Sequence, residues 1–250
     1  MTAPLHGSLI DASLRAFIAR VVGWTDPAAI EHALRSVDLA TNHRAALVLA
    51  GDRDTTSIAA ALHRRTLGPS APFVTVNPCR LNADASLRCP ANRKHGVDAV
   101  RAAAGGSLCL ERIRLPRDYP ALVALVRDPI SDVLVIVCTE ARHAMDPLAI
   151  LPAPIVIPPL RARAGDLPRI VAEYAADAIA RLGADASAFT DADQTWVLDH
   201  AARTLGEIEG ATMRLVALRQ EGSVNRAARL LKQSHVSLAS WLGRRRGGQS

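Results

Sequence analysis

The chain predicts an α/β protein: a parallel β-sheet flanked by helices, then an all-helical segment, then a terminal pair of short helices. Three observations predict it. Short apolar runs alternate with helical apolar spacing from Ala45 to Ile157. Beyond Pro158 only helical spacing remains. Gly222 to Leu242 (GSVNRAARLLKQSHVSLASWL) then carries two apolar stripes around a turn.

The elements follow in order. Leu9 to Val22 and Ala28 to Leu39 have helical spacing, the first with Leu9, Ile10, Leu14, Phe17, Ile18 and Val21 on one side. Ala45 to Ala50 (AALVLA) is a short apolar strand, and the turn GDRD leads into a helix from Thr56 to Arg65. Phe73 to Val76 is a strand. The Cys-, Asn- and Pro-containing stretch after it reads as irregular. Val97 to Ala103 is helical, Ser107 to Ile113 a strand, Tyr119 to Arg127 a helix. Asp132 to Thr139 (DVLVIVCT) is the most apolar strand and Ala153 to Ile157 the last. Asp166 to Leu182, Asp191 to Ala202 and Leu205 to Gln220 are helical. The expected boundaries are an α/β domain over 1–160, a helical lid or linker over 161–202 and a terminal unit over 203–250.

With 250 residues, 49% of them hydrophobic and only 3% aromatic, the chain can bury a substantial core rich in Ala, Leu and Val. It has no run of 18 apolar residues and no signal-like start, so the expectation is a cytoplasmic protein without membrane contact. Cys79, Cys89, Cys109 and Cys138 form no CxxC pair, and reduced thiols are expected. A metal site from Cys79, Cys89 and His95 matches no standard ligand spacing, so no metal and no cofactor are expected.

In the terminal unit, Ala227 and Leu231 lie one helical turn apart, as do Leu238 and Leu242, so each short helix can turn a stripe toward the other. Ala227 and Ala228 are small enough for two helix axes to cross closely, and Ser234 is placed to cap the second helix. Counting 100° per residue from Leu238, the outward face of that helix holds Val236, Ser237, Ser240 and Gly243, with His235 and Ala239 at its edges. From Arg203 to Ser250 nine basic residues stand against Glu207, Glu209 and Glu221, so this segment's surplus equals the whole chain's +6. A helical hairpin that only packs on the domain, with a solubilising basic tail, is the plainer reading of the same pattern.

The order G-x-x-x-x-A-A-x-x-L-x-x-S-x-x-S-L-x-x-x-L resembles the Fis-type helix-turn-helix that ends many bacterial enhancer-binding proteins. Lys232 departs from it, because the family has Gly at this turn, where a positive φ is convenient. The resemblance implies binding to double-stranded DNA, as a homodimer paired through the helix beginning near Leu205, on half-sites roughly 34 Å apart. Arg226, Arg229, Lys232, Arg244, Arg245 and Arg246 are then expected on phosphates. Ser234, His235, Val236, Ser237 and Ser240 are expected at the groove, with base edges met by His235, Ser237 and Ser240.

Upstream, the serial order of segments resembles the AAA+ domain of NtrC-like sigma-54-dependent activators. LVLAGDRDTTSIA (47–59) stands at the phosphate loop, APFVTVN (71–77) at the second strand, GGSLCLERI (105–113) at Walker B, VIVCTEAR (135–142) at the first sensor, and IPPLRARAGDLP (157–168) at the opening of the lid. The fold implied is a degenerate AAA+ phosphate-loop-like sheet. Its chemistry is eroded. The loop positions Gly51, Asp54, Thr55, Thr56 and Ser57 keep one glycine, place Asp54 and Thr56 at the inner glycines, and put Ser57 where the family's lysine reaches the phosphates. Glu111 stands at the magnesium-binding Asp and Arg112 at the catalytic Glu, and a guanidinium cannot deprotonate water. Glu140 replaces the sensor Asn. The sigma-contacting GAFTGA string is absent, and Arg142 to Ile155 is too short for the arginine-finger helix.

No catalytic residue and no nucleotide site are therefore expected. Nor can the first forty residues hold a receiver domain. The reading is a sequence-specific transcriptional regulator working without ATP hydrolysis or sigma-54 contact, nucleoid-associated, with RNA polymerase or an intact AAA+ activator as further partners. A module that docks on an intact activator and modulates it is the alternative. A ligand switch that binds nucleotide without turnover is a third, disfavoured by Asp54, Thr56 and Ser57.

Overall fold

The computed structural model describes residues 7–43, 45–52, 55–85, 90–128, 130–140 and 153–247, and for residues 7–11, 43, 246 and 247 the backbone alone. The chain divides into two compact units, Met1–Pro159 and Leu160–Ser250. The segments expected as a linker over 161–202 and a separate terminal unit over 203–250 thus lie in one unit.

The first unit is built on six strands: β1 (Leu47–Ala50), β2 (Phe73–Val76), β3 (Ala91–Arg93), β4 (Ser107–Glu111), β5 (Leu134–Thr139) and β6 (Ile155–Val156). They pair in the order β3-β2-β4-β5-β1-β6, and every pairing between them is parallel. Helices α1 (Gly7–Val22), α2 (Pro27–His43), α3 (Thr55–Thr66), α4 (Gly96–Ala102) and α5 (Tyr119–Arg127) belong to the same unit. A parallel sheet needs crossover connections that cover its faces, which explains why β1 and nearly all of β5 are buried on both sides and read as unbroken apolar runs. Leu49, Leu108 and Ile136 are wholly enclosed. On α1, Phe17, Ile18 and Val21 are buried as the spacing predicts, while the side chains of Leu9 and Ile10 lie outside the described residues.

The stretch expected to be irregular after Val76 contains β3. Three residues, Ala-Asn-Arg, are too few for any period, and two are poor strand formers. Side-chain bonds hold the strand instead. The buried Asn92 amide donates to the carbonyls of Asn77 and Leu81, at 3.3 and 3.0 Å, and its oxygen accepts from the Thr75 hydroxyl at 3.2 Å. Asp118 caps α4 from the start of α5. Its two carboxylate oxygens accept from the N–H groups of Gly96 and Val97 at 2.8 and 3.0 Å, placing negative charge at a helix N-terminus.

Cys109 and Cys138 are buried free thiols on neighbouring strands with their sulfurs 3.6 Å apart. The neighbouring Cys138 thiol and burial push the Cys109 thiol up from its ordinary value. His63, on α3, is also enclosed. Its Nε2 lies 3.0 Å from the Ala71 carbonyl and its Nδ1 2.8 Å from the Ser107 hydroxyl. A carbonyl only accepts, so the ring proton sits on Nε2 and the hydroxyl donates to Nδ1.

The second unit is helical: α6 (Leu167–Leu182), α7 (Asp191–His200), α8 (Leu205–Glu221), α9 (Val224–Leu230) and α10 (His235–Gly247). Among the described residues no helix is long and apolar enough to cross a membrane.

Candidate nucleic-acid interface

Thr204 starts α8 by accepting from the Glu207 N–H, and Gly222 ends it with φ +62°, a left-handed conformation that glycine adopts without a Cβ penalty. Ser223 opens α9 in turn, its hydroxyl accepting from the Arg226 N–H at 3.4 Å. At the end of α9 the Lys232 N–H bonds to the Arg229 carbonyl at 2.9 Å and the Gln233 N–H to the Ala228 carbonyl at 2.7 Å. This pair of bonds is a Schellman turn with Lys232 at its left-handed position, φ +50°. The conformation expected from the glycine pattern is therefore present with a lysine in it. Ser234 directly precedes α10, and its carbonyl accepts from the Leu238 N–H at 3.1 Å.

Ala227, Ala228, Ala217 and Leu238 form a buried cluster, with Val224, Leu231 and Trp241 packed against it. The paired alanines have no bulk to hold α9 and α10 apart. Truncating Leu238 to Ala here would cost about 2–5 kcal/mol. With that side inward, His235, Val236, Ser237, Ala239, Ser240, Gly243 and Arg244 are exposed, Val236 at 62%. All of these but Arg244 are the residues that helical counting placed on the outward face or at its edges. Ser234, Arg229 and Lys232 are exposed beside them.

The cations are not equivalent. The Arg226 guanidinium donates to the Glu221 carbonyl at 3.0 and 2.5 Å and lies 3.7 Å from the Glu221 carboxylate. Arg244 bonds to the Ser240 hydroxyl at 3.2 Å. Arg246 lies outside the described side chains. Arg245 departs from the expectation that it meets phosphate: its guanidinium lies 2.6 Å from Asp193 on α7, and its side chain is only 21% exposed. The physical reason is position. Arg245 falls on the α10 side that carries Leu238 and Trp241, not on the outward face. Sequence counting treated the three successive arginines as one cluster and left out Asp193, which lies upstream of the counted segment.

Asp193 is 1% exposed and fully bonded. One oxygen accepts from Arg245, and the other accepts from the Thr190 N–H at 3.1 Å, the Thr190 hydroxyl at 2.9 Å and Arg219 at 2.7 Å. Thr190 and Asp193 form a reciprocal capping box at the start of α7. Burial works against ionisation, but these donors outweigh it and hold the carboxyl below its ordinary value. One turn along α7, the Trp196 ring meets the edge of Trp241 at 5.3 Å between centroids, and Arg245 lies 5.4 Å from the Trp196 centroid.

The helix expected to pair with a second copy, α8, has one side packed within the chain. Ile208, Ala211, Thr212, Leu215 and Val216 are buried, and α6 is the principal partner of α8.

In the first unit, β1 and β5 are neighbours although the next strands in sequence, β2 and β6, lie on opposite sides of this pair in the sheet order, the strand arrangement in which open parallel sheets take ligands at their carboxyl ends. Gly51, Thr55, Thr56, Glu111 and Glu140 stand at that end. Arg53 and Asp54 lie outside the described residues. Ser57, at the lysine position, is exposed on the first turn of α3. The Glu111 carboxylate is engaged on both oxygens, by Arg114 at 2.7 Å and by the Thr56 hydroxyl at 3.5 Å. Gly51 packs closely, since a Cβ there would lie 3.1 Å from Ile157 and 3.3 Å from Thr55. Glu140, expected at the sensor position, is described, whereas the segment 141–152, which holds most of the expected arginine-finger gap, lies outside the described residues.

Of the residues weighed for a metal, Cys79 and His95 are exposed and Cys89 is outside the described residues. No group of three metal-ligating side chains occurs among the described residues.

No family model and no curated protein matches the chain. Among solved structures the chain is similar to NtrX from Brucella abortus in complex with ADP, with a TM-score of 0.47 and 14% identity over 95% of this chain and 73% of that one. It is similar to NtrX in complex with ATP, with a TM-score of 0.45 and 15% identity over 98% of this chain and 69% of that one. A further NtrX structure gives a TM-score of 0.45 and 17% identity, and there the chain spans about half of its relative, 54% of it against 84% of this one.

Proposed function

We propose that the protein is a sequence-specific DNA-binding transcriptional regulator that acts without ATP hydrolysis and without sigma-54 contact. The observation that carries this reading is the exposed ridge of α10, His235, Val236, Ser237 and Ser240, held up by a tight turn and a buried alanine crossing. A helix presented this way has the size and separation to enter a major groove. Val236 offers a methyl surface to thymine, and the hydroxyls and His235 offer short hydrogen-bonding reach to base edges. Arg226, Arg229, Lys232 and Arg244 supply charge for phosphates.

The carboxyl end of the sheet supports the absence of hydrolysis in this reading. Arg114 already pairs with the Glu111 carboxylate and competes with a magnesium ion for it, and Ser57 offers no cation to a polyphosphate. Two copies on a two-fold site would have to pair through a surface other than the α8 side that α6 covers. Localisation with the nucleoid and contact with RNA polymerase belong to the same proposal.

Selection of bound duplexes from random DNA, followed by mobility shifts across a salt series, tests it. A recovered motif, with affinity falling at a log-log slope of roughly −0.9 per phosphate contacted, is the expected result. Failure to enrich any sequence, or binding indifferent to salt, refutes it.

A further inference from the structure

We propose that Asp193 is a positioning residue for the DNA-reading helix: it clamps Arg245 inward, fixes the seating of α10, and keeps that arginine off the phosphate backbone. The inference rests on the DNA-binding reading and adds to it a determinant of specificity outside the helix-turn-helix.

The geometry is a two-point attachment. Asp193 meets Arg245, and Trp196, three residues along α7, meets Trp241, four residues back along α10, so the helices run in opposite directions along this contact. The anchor has holders besides α10, because the Thr190 capping box and Arg219 from α8 also bond the carboxylate. Three helices therefore converge on one enclosed anion. Arg245 has little freedom to swing out, since leaving would strand a buried charge with a partner fewer and break its stacking on Trp196. The consequence for recognition follows from α10 itself. Its outward face carries short side chains, which read bases only when the helix sits at a defined depth and angle. A released arginine would add sequence-blind attraction and let the helix rock.

The test uses the full chain, one duplex from the selection and one unrelated duplex of equal length, both across a salt series. Arg245→Ala should leave the salt slope unchanged while discrimination between the duplexes falls about tenfold. Asp193→Asn should steepen the slope by about 0.9, as one guanidinium becomes available to phosphate, again with discrimination lost. The double variant should return to the original slope without regaining discrimination. A purely structural role for Asp193 would lower the melting temperature without steepening the slope, and that result overturns the proposal. So does a slope reduced by about 0.9 in Arg245→Ala alone, which would mean that Arg245 already contacts phosphate. If Asp193→Asn fails to fold, Arg245→Gln decides by the same slope criterion. A wild type that binds no duplex at low salt defeats the functional reading itself, whereas a wild type that binds while Arg245→Gln loses slope defeats only the clamp.

Discussion

Glu111 and Arg114 form an ion pair of 2.7 Å at the carboxyl end of β4. The expected outcome is that millimolar ATP or ADP with magnesium leaves the thermal midpoint unchanged within about 1 °C, since a ligand without affinity for the folded state adds no stability. A dose-dependent rise in the melting curve would contradict it.

Lys232→Gly should separate stability from binding. Glycine relieves the left-handed strain at φ +50°, raising stability by about 0.5–1 kcal/mol in urea unfolding. The same change removes a cation beside the ridge, so the salt slope of DNA binding should shrink by about 0.9. A variant both weaker in urea and unchanged on DNA would contradict both roles.

His63 gives the first unit a pH dependence. Burial lowers its affinity for a proton below the ordinary 6.5, the Ala71 carbonyl opposes this, and Arg64 adds to it. A histidine depressed in the folded state binds more protons when unfolded. Its stabilising contribution is therefore present above pH 6.5 and lost as pH falls below it. The urea midpoint should drop between pH 7.5 and pH 5.5, and His63→Gln should flatten that dependence.

Much of this was legible in the sequence because the signals were local. The run LVIVC reads as a doubly buried strand from composition alone, and the outward face of α10 follows from counting 100° from Leu238. At Lys232 the sequence marked the turn but not whether a lysine would keep the left-handed conformation, which it does at φ +50°. What escaped was non-local. Nothing in the spelling Ala-Asn-Arg marks β3, whose support comes from Thr75, Asn77 and Leu81, and nothing near Arg245 reveals Asp193, 52 residues upstream. Adjacent arginines share a charge but not a direction, and only packing tells them apart.

Asp193 carries the acid sensitivity of the second unit. Its carboxyl is held below the ordinary 3.8 despite burial, by Thr190, Arg219 and Arg245. A depressed carboxylate stabilises above its unfolded value and loses that contribution as pH falls through the folded one. Near-ultraviolet signals from Trp196 and Trp241 should therefore hold down to about pH 4 and weaken only as pH falls further. Asp193→Ala should cost about 2–4 kcal/mol, combining the lost cap with two stranded guanidinium groups that still reach some solvent.

Because α8 is at once the inner wall of the α6–α8 packing and the first helix of the α8–α10 unit, no hinge intervenes between the two. If α10 reads DNA as proposed, a change in its aim requires deformation of that packing, and substitutions on α6 become a route to changed operator choice.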